Sequence, residues 1–162
     1  MADQITDNRT IVAAATNATT YVDLGGGGAN IDQDVFILGD RSAGFQSTNS
    51  RDGVMVDLSA ATDVSDNVFY LWVNCGVVGL LEVASNGGFR VRFAGANTAD
   101  FFEIDIGGND FWPLATEGGW VMFVVDIERA SLRSGAGFGA TGGTPPATTA
   151  IRYVGISTIQ PA

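Results

Sequence analysis

The sequence contains no histidine and no lysine, and all 8 of its basic residues are arginines, against 18 acidic residues. The resulting net charge of -10 excludes a general nucleic-acid binder, because neutralising phosphates requires a cationic surface. Without histidine, the Ser-His-Asp and Cys-His catalytic systems and the common histidine-based zinc sites are excluded too. Any catalysis would have to use carboxylates, tyrosine, arginine, cysteine or a hard cation.

Cysteine and long apolar runs are also scarce. The single cysteine, Cys75, cannot form a disulfide within the chain, and its apolar neighbours predict a small buried side chain rather than a reactive thiol. The apolar stretches, such as residues 68–73, 77–81 and 120–125, are all far too short to span a bilayer. The first residues are acidic and polar, unlike a secretory signal, so we expect a protein made in a cytoplasm with no membrane partner.

Glycine is abundant, with 22 copies, and short apolar runs alternate with Gly, Asn, Asp or Ser, a pattern typical of an all-β chain. The predicted strands are 20–24, 35–38, 53–58, 67–75, 77–83, 89–93, 101–106, 120–127 and 150–158. For residues 127–132, at the end of the predicted strand 120–127, a short helix is the alternative. So many antiparallel strands in one domain favour two packed sheets, which is an antiparallel β-sandwich.

Residues 1–19 differ from the rest because they are polar and rich in Thr and Asn. Such a segment is either a frayed terminus or an N-terminal arm that becomes ordered on a neighbouring subunit. We therefore divide the chain into an arm over 1–19 and a β-sandwich domain over 20–162. Within the domain, the glycine-rich stretch 134–149 is predicted to be a long flexible loop.

The predicted strand 89–93 alternates strictly between apolar and charged side chains. Phe89, Val91 and Phe93 share one face, and Arg90 and Arg92 share the other. We expect the two arginines to point outward, where they would pair with an acidic residue of a neighbouring strand or subunit, or bind a partner or a glycan.

Glu103 and Asp105 lie on one face of the next predicted strand, which resembles the Glu-x-Asp-x-(x)-Glu pattern of sandwich-fold retaining glycosidases. Those enzymes need a second carboxyl group about 5 Å away to serve as the acid and base. Here residues 107–110 are Gly-Gly-Asn-Asp, so no glutamate follows at the needed spacing, and Asp110 is off the periodicity. We therefore expect no enzyme, and a solvated polar face at Glu103.

Aspartate-rich turns are the candidate cation sites, because Ca²⁺ takes six to eight oxygen ligands. The turns contain Asp32 and Asp34, Asp63 and Asp66, and Asn109 and Asp110. None of them has the spacing of an EF-hand loop. Aspartates in turns usually serve the turn itself, so we expect no cofactor, with Ca²⁺ as the alternative.

The three tryptophans are candidate binding residues. Trp72 and Trp120 lie in strands with apolar neighbours, so they are predicted to pack in the core. Trp112 follows Phe111 in a predicted turn and is expected to be the exposed one. Phe111 and Trp112 would suit an anchor for a partner protein or a glycan, and the alternative is a loop that plugs the end of the sandwich.

Between residues 67 and 129 the sequence resembles the laminin-G-like, concanavalin-type jelly roll. A long aromatic strand, Phe-Tyr-Leu-Trp-Val at 69–73, is followed by hairpins and then by Gly-Gly-Trp at 118–120, which opens a strand that ends at Asp126. The order of Asp-Phe-Phe-Glu at 100–103, a glycine turn and Gly-Gly-Trp is similar to structural proteins of tailed bacteriophages built on that fold. The resemblance covers residues 20–158.

This resemblance implies a non-enzymatic virion structural protein, made in the host cytoplasm. The expected role is a capsid decoration or cement protein on the phage head, with the major capsid protein and copies of itself as partners. Such proteins are often trimeric at lattice three-fold positions, so a homo-oligomer is expected. The alternatives are a phage tail or fibre module and a carbohydrate-binding module of the laminin-G-like fold.

Overall fold

The structure is a computed structural model, and it describes residues 20–24, 30–32, 42–44, 53–74, 88–107, 120–127 and 141–159. The regular structure of these residues consists of antiparallel β-strands and one turn of 3₁₀ helix, which confirms the all-β prediction. Within the described ranges, no helix is long and apolar enough to cross a membrane.

Ten strands are present in the described residues. They are β1 Thr20–Leu24, β2 Asn30–Asp32, β3 Ser42–Gly44, β4 Gly53–Thr62, β5 Val68–Asn74, β6 Gly88–Ala94, β7 Phe101–Gly107, β8 Trp120–Asp126, β9 Thr141–Gly142 and β10 Ile151–Ile159. The 3₁₀ turn, Thr148–Ala150, comes directly before β10.

Seven predicted strands are confirmed within a few residues, and β1 is confirmed to the residue. The short strands β2, β3 and β9 were not predicted. β9 also corrects the predicted loop 134–149, because Thr141 and Gly142 pair with the start of β7. The predicted strands 35–38 and 77–83, the arm over 1–19, Cys75 and residues 128–132 of the alternative helix lie outside the described residues.

The strands form a six-stranded sheet in the order β1-β4-β10-β6-β7-β9 and two two-stranded sheets, β2-β3 and β5-β8. The β5-β8 pair is called the ribbon below. β10 lies between β4 and β6, so the last described segment of the chain joins the two halves of the larger sheet.

Aromatic contacts join the ribbon to one face of the six-stranded sheet. The rings of Phe69 and Phe93 are 5.8 Å apart edge to face, and those of Phe89 and Phe123 are 4.8 Å apart. Phe93 also stacks on Phe102 of β7, with ring centres 5.3 Å apart. The predicted apolar face of Phe89, Val91 and Phe93 is therefore confirmed as the centre of the core.

β4 contains an irregular segment next to β10. Tyr153 pairs with Asp57, whereas Ile151 pairs with Thr62, so five steps along β4 correspond to two along β10. Ser59, with φ 69°, lies in this bulge, and its amide donates a hydrogen bond of 2.8 Å to Asp57 Oδ1. Arg152 donates to both carboxylate oxygens of Asp57, at 3.0 and 3.1 Å, and these bonds lower the pKa of Asp57 below its usual value.

The variant Asp57→Asn is expected to make stability less dependent on pH in acid. Because the pKa of Asp57 is lower in the folded chain, its carboxylate stabilises the fold above the unfolded pKa of about 3.9, and this contribution is lost as the pH falls through the folded pKa. Urea unfolding from neutral pH down to about pH 2 measures the effect. The greater stability of the wild type should disappear as the pH falls below about 4. A difference in stability that does not change with pH would contradict the ion pair between Asp57 and Arg152.

Candidate functional site

The second face of the six-stranded sheet buries charged side chains that were expected to be solvated. Arg92 is 8% exposed and Glu103 is 0% exposed. Arg92 Nε donates to Glu103 Oε1 at 2.7 Å, and Arg92 Nη2 makes a second bond to the same oxygen. The predicted exposure is wrong because this face also packs a second apolar cluster, formed by Leu24, Met55, Ala94 and Phe101.

The pairing of the two arginines with acidic residues of a neighbouring strand is confirmed. Arg90 Nε donates to Asp105 Oδ1 at 2.8 Å and lies 3.8 Å from Glu103 Oε2. The Arg92 guanidinium carbon lies 3.7 Å from the centre of the Phe101 ring. Both guanidinium groups therefore have partners within the sheet, and their binding of an external partner stays a prediction.

The burial of Glu103 gives no support to the glycosidase pattern. An attacking carboxylate must contact the sugar ring, whereas the Glu103 side chain has no exposed surface. Its Oε2 atom and the hydroxyl of Ser157 are buried without a hydrogen-bond partner. The ion pairs between the arginines of β6 and the acidic residues of β7 therefore have a structural role, which is to join the two strands.

The ribbon leaves its other side open to solvent. We call this side the outer face and define it by five large apolar side chains on β5 and β8. Their exposed fractions are 47% for Val68, 45% for Tyr70, 44% for Trp72, 38% for Met122 and 55% for Val124.

The register of the ribbon explains the exposure. Phe69, Leu71 and Val73 lie on the face that packs on the core, so the residues between them must point the other way. The prediction that Trp72 packs in the core is therefore wrong. Trp120, on the same side of the ribbon opposite Asn74, is half-buried.

An open cleft lies at one end of the outer face. Its volume is about 260 Å³, and Asp66, Asn67, Val68 and Asp126 line it. Asp126 is directly opposite Val68 in the register of the ribbon, so the cleft continues the row of exposed apolar side chains. Asp66 has a φ of 57° and Asn67 Nδ2 donates to the carbonyl of Ser65 at 2.7 Å, which shows that this end is built from a tight turn.

The same turn contains one of the candidate calcium positions. The amide of Ser65 donates to Asp63 Oδ1 at 3.0 Å, and the Ser65 hydroxyl bonds to the same oxygen. These hydrogen bonds lower the pKa of Asp63, and they are the turn chemistry expected of such an aspartate. Within the described residues, no three acidic side chains come together to hold a metal ion.

The structure describes only some of the remaining candidate residues. Phe111, Trp112, Asp34, Asn109 and Asp110 lie outside the described residues, and their roles stay predictions. The outer face was not predicted, because a strand with apolar residues on both of its sides is expected to be buried on both sides. The residue types are the signal that could have revealed it, since Tyr, Trp and Met are enriched at protein interfaces.

The outer face is comparable in size to the largest apolar patch of a typical monomer. Its five side chains expose on the order of 400 Å² in total, which is within the size range of the largest apolar patches on soluble proteins, and such patches are often functional. No protein-family model matches the sequence, and no curated protein matches it. The function must therefore be inferred from the outer face, the buried ion pairs and the sequence itself.

Proposed function

We propose that the protein is a non-enzymatic structural protein of a virion, and that its antiparallel sheets belong to a jelly-roll β-sandwich that decorates the phage head. The observation that carries the proposal is the outer face. The largest apolar patch on a soluble protein is often a site at which it binds a partner, and the outer face has the size of such a patch. A decoration protein needs such a surface on a rigid support, and the ribbon is held by the aromatic core contacts of Phe69 and Phe123.

The proposed mechanism is burial of surface between repeated subunits. Many copies on a lattice bind with avidity, so each single contact can be weak. Tyr70 and Trp72 are the residue types that contribute most to protein interfaces, and they lie at the middle of the outer face. The N-terminal arm over 1–19, Trp112 and the stretch 134–149 are proposed to supply contacts to the major capsid protein.

Immunogold electron microscopy of particles from the native source tests the proposal. Antibodies against the recombinant chain should label the whole head surface, because a decoration protein occupies every lattice position. Label confined to the tail or its fibres would assign the chain to a tail or fibre module instead. Unlabelled particles, with free protein detected in the same lysate, would contradict the virion function.

A carbohydrate-binding module is the second candidate, and one feature of the outer face favours it. Tyr70 and Trp72 are two residues apart on one strand, so their side chains leave the same side of the ribbon from Cα positions about 7 Å apart. The cleft at the end of the row offers carboxylate and amide groups to sugar hydroxyls. Binding to a glycan array that is lost in Trp72→Ala would support this candidate, and a chelator would show whether Ca²⁺ takes part.

A further inference from the structure

We propose that the outer face is a homodimer interface, in which two copies pack face to face with their ribbons running in opposite directions. The inference rests on the proposed association role of the outer face and names its partner, a second copy of this chain.

The chemistry of the outer face favours a protein partner over a glycan. Val68, Met122 and Val124 are aliphatic, and sugar rings stack on aromatic rather than aliphatic side chains. The combination of Tyr and Trp with Met in a patch without charge at its centre matches the centre of protein interfaces.

The size of the outer face is suited to a dimer. A stable interface buries about 800 Å² on each partner, of which the centre is apolar and the rim is polar. The five exposed side chains supply roughly half of that area as the centre. Asp66, Asn67 and Asp126 at one end, with Asn74 and Trp120 at the other, provide the rim.

The order of the residue pairs along the ribbon makes the face self-complementary. From one end to the other, the pairs are Val68 with Asp126, Tyr70 with Val124, Trp72 with Met122, and Asn74 with Trp120. A two-fold axis across the strands, between the second and third pairs, places aromatic side chains over aromatic ones and aliphatic over aliphatic. This is the isologous contact of a two-fold dimer, in which one patch binds itself.

The position of the acidic residues favours an antiparallel over a parallel arrangement of the two ribbons. Asp66 and Asp126 lie at one end of the outer face, whereas Asn74 and Trp120 at the other end carry no charge. With the ribbons reversed, the acidic end of each copy lies over the uncharged end of its partner. With the ribbons parallel, four carboxylates would gather at one end, which is unfavourable for a chain of net charge -10.

Analytical ultracentrifugation of the full chain over a wide concentration range tests the dimer. Wild type should sediment as a dimer that dissociates on dilution, and Trp72→Arg and Val124→Arg should raise the dissociation constant more than about 30-fold. Ala96→Arg is the control, because Ala96 is exposed in the β6-β7 loop and the substitution makes the same change in charge. Near-ultraviolet circular dichroism identifies any variant that fails to fold.

Two substitutions at one position test the direction of packing. In the antiparallel dimer, residue 74 lies over the acidic end of the partner, so Asn74→Arg should tighten the dimer about threefold at low salt, and Asn74→Asp should weaken it by a similar factor. In a parallel dimer the two copies of residue 74 lie at the same end, and both substitutions weaken association by like-charge repulsion. Equal weakening would therefore overturn the antiparallel arrangement.

The outcomes separate this inference from the virion function. A wild type that stays monomeric at every concentration overturns the homodimer. If Trp72→Arg then still reduces occupancy on particles, the outer face binds the shell and the virion function stands. A dimer that Trp72→Arg disrupts, in a protein that never associates with particles, supports the interface and removes the virion function.

Discussion

Replacing Arg92 by methionine is expected to destabilise the protein by about 3–5 kcal/mol, because it leaves the carboxylate of Glu103 buried without its hydrogen-bond donors and with only Arg90, 3.8 Å away, as a cation. Arg92 donates two hydrogen bonds to Glu103 Oε1, and Glu103 has no exposed surface on which water could replace them. Methionine keeps much of the apolar stem of Arg92 but loses the guanidinium group, which pairs with Glu103 and lies over the Phe101 ring, so the lost charge should dominate the effect. Chemical denaturation gives the change in the free energy of unfolding.

The double variant Arg92→Met with Glu103→Leu separates charge from packing. Removing both partners of a buried ion pair is often neutral or stabilising, so we expect the double variant to lie within about 1 kcal/mol of wild type. Arg90→Met is the matched single variant, and its cost should be smaller because its main partner, Asp105, keeps a third of its side chain exposed. If the double variant loses as much unfolding free energy as the two single variants added together, this account of the ion pair between Arg92 and Glu103 is contradicted.

Phe93→Ala is expected to cost about 3–5 kcal/mol, the usual range for truncating a buried phenylalanine. Phe93 has 0% exposure and contacts the rings of Phe69 and Phe102, so it joins the ribbon to the six-stranded sheet. The loss of near-ultraviolet circular dichroism should accompany the loss of stability, since several aromatic side chains share this contact.

Trp72→Ala is the control for that experiment. It removes a larger aromatic side chain, but one with 44% of its surface exposed, and we expect a cost below about 1 kcal/mol when measured on the monomer. The measurement is denaturation of both variants at a concentration at which the protein is dissociated. A Trp72→Ala cost equal to that of Phe93→Ala would mean that Trp72 belongs to the core and that the outer face is not an exposed surface.

The strands that the sequence predicted are those with a strong period of two. Phe89, Val91 and Phe93 alternate with arginines, so both the strand and its core face could be assigned before the structure was known. β2, β3 and β9 have two or three residues each and carry no detectable period. The bulge at Ser59 was also hidden, because a positive φ in a non-glycine residue depends on the hydrogen bond to Asp57 rather than on a pattern.

The candidate sites were harder to predict because burial is a tertiary property. Alternation placed Arg92 and Glu103 opposite the core face, but it could not show that their own face is buried as well. The same rule gave Trp72 no preferred side, since β5 is apolar on both faces. In each case the strand was predicted correctly, and tertiary packing decided which of its side chains are exposed.

Sedimentation of native particles tests the central claim, that this is a virion protein, most directly. A nuclease-treated lysate of the native source is separated on a gradient, and mass spectrometry measures the polypeptide in each fraction. The proposal predicts that the chain travels with megadalton particles at a copy number near that of the major shell protein. Recovery only at the top of the gradient, among free proteins, would contradict it.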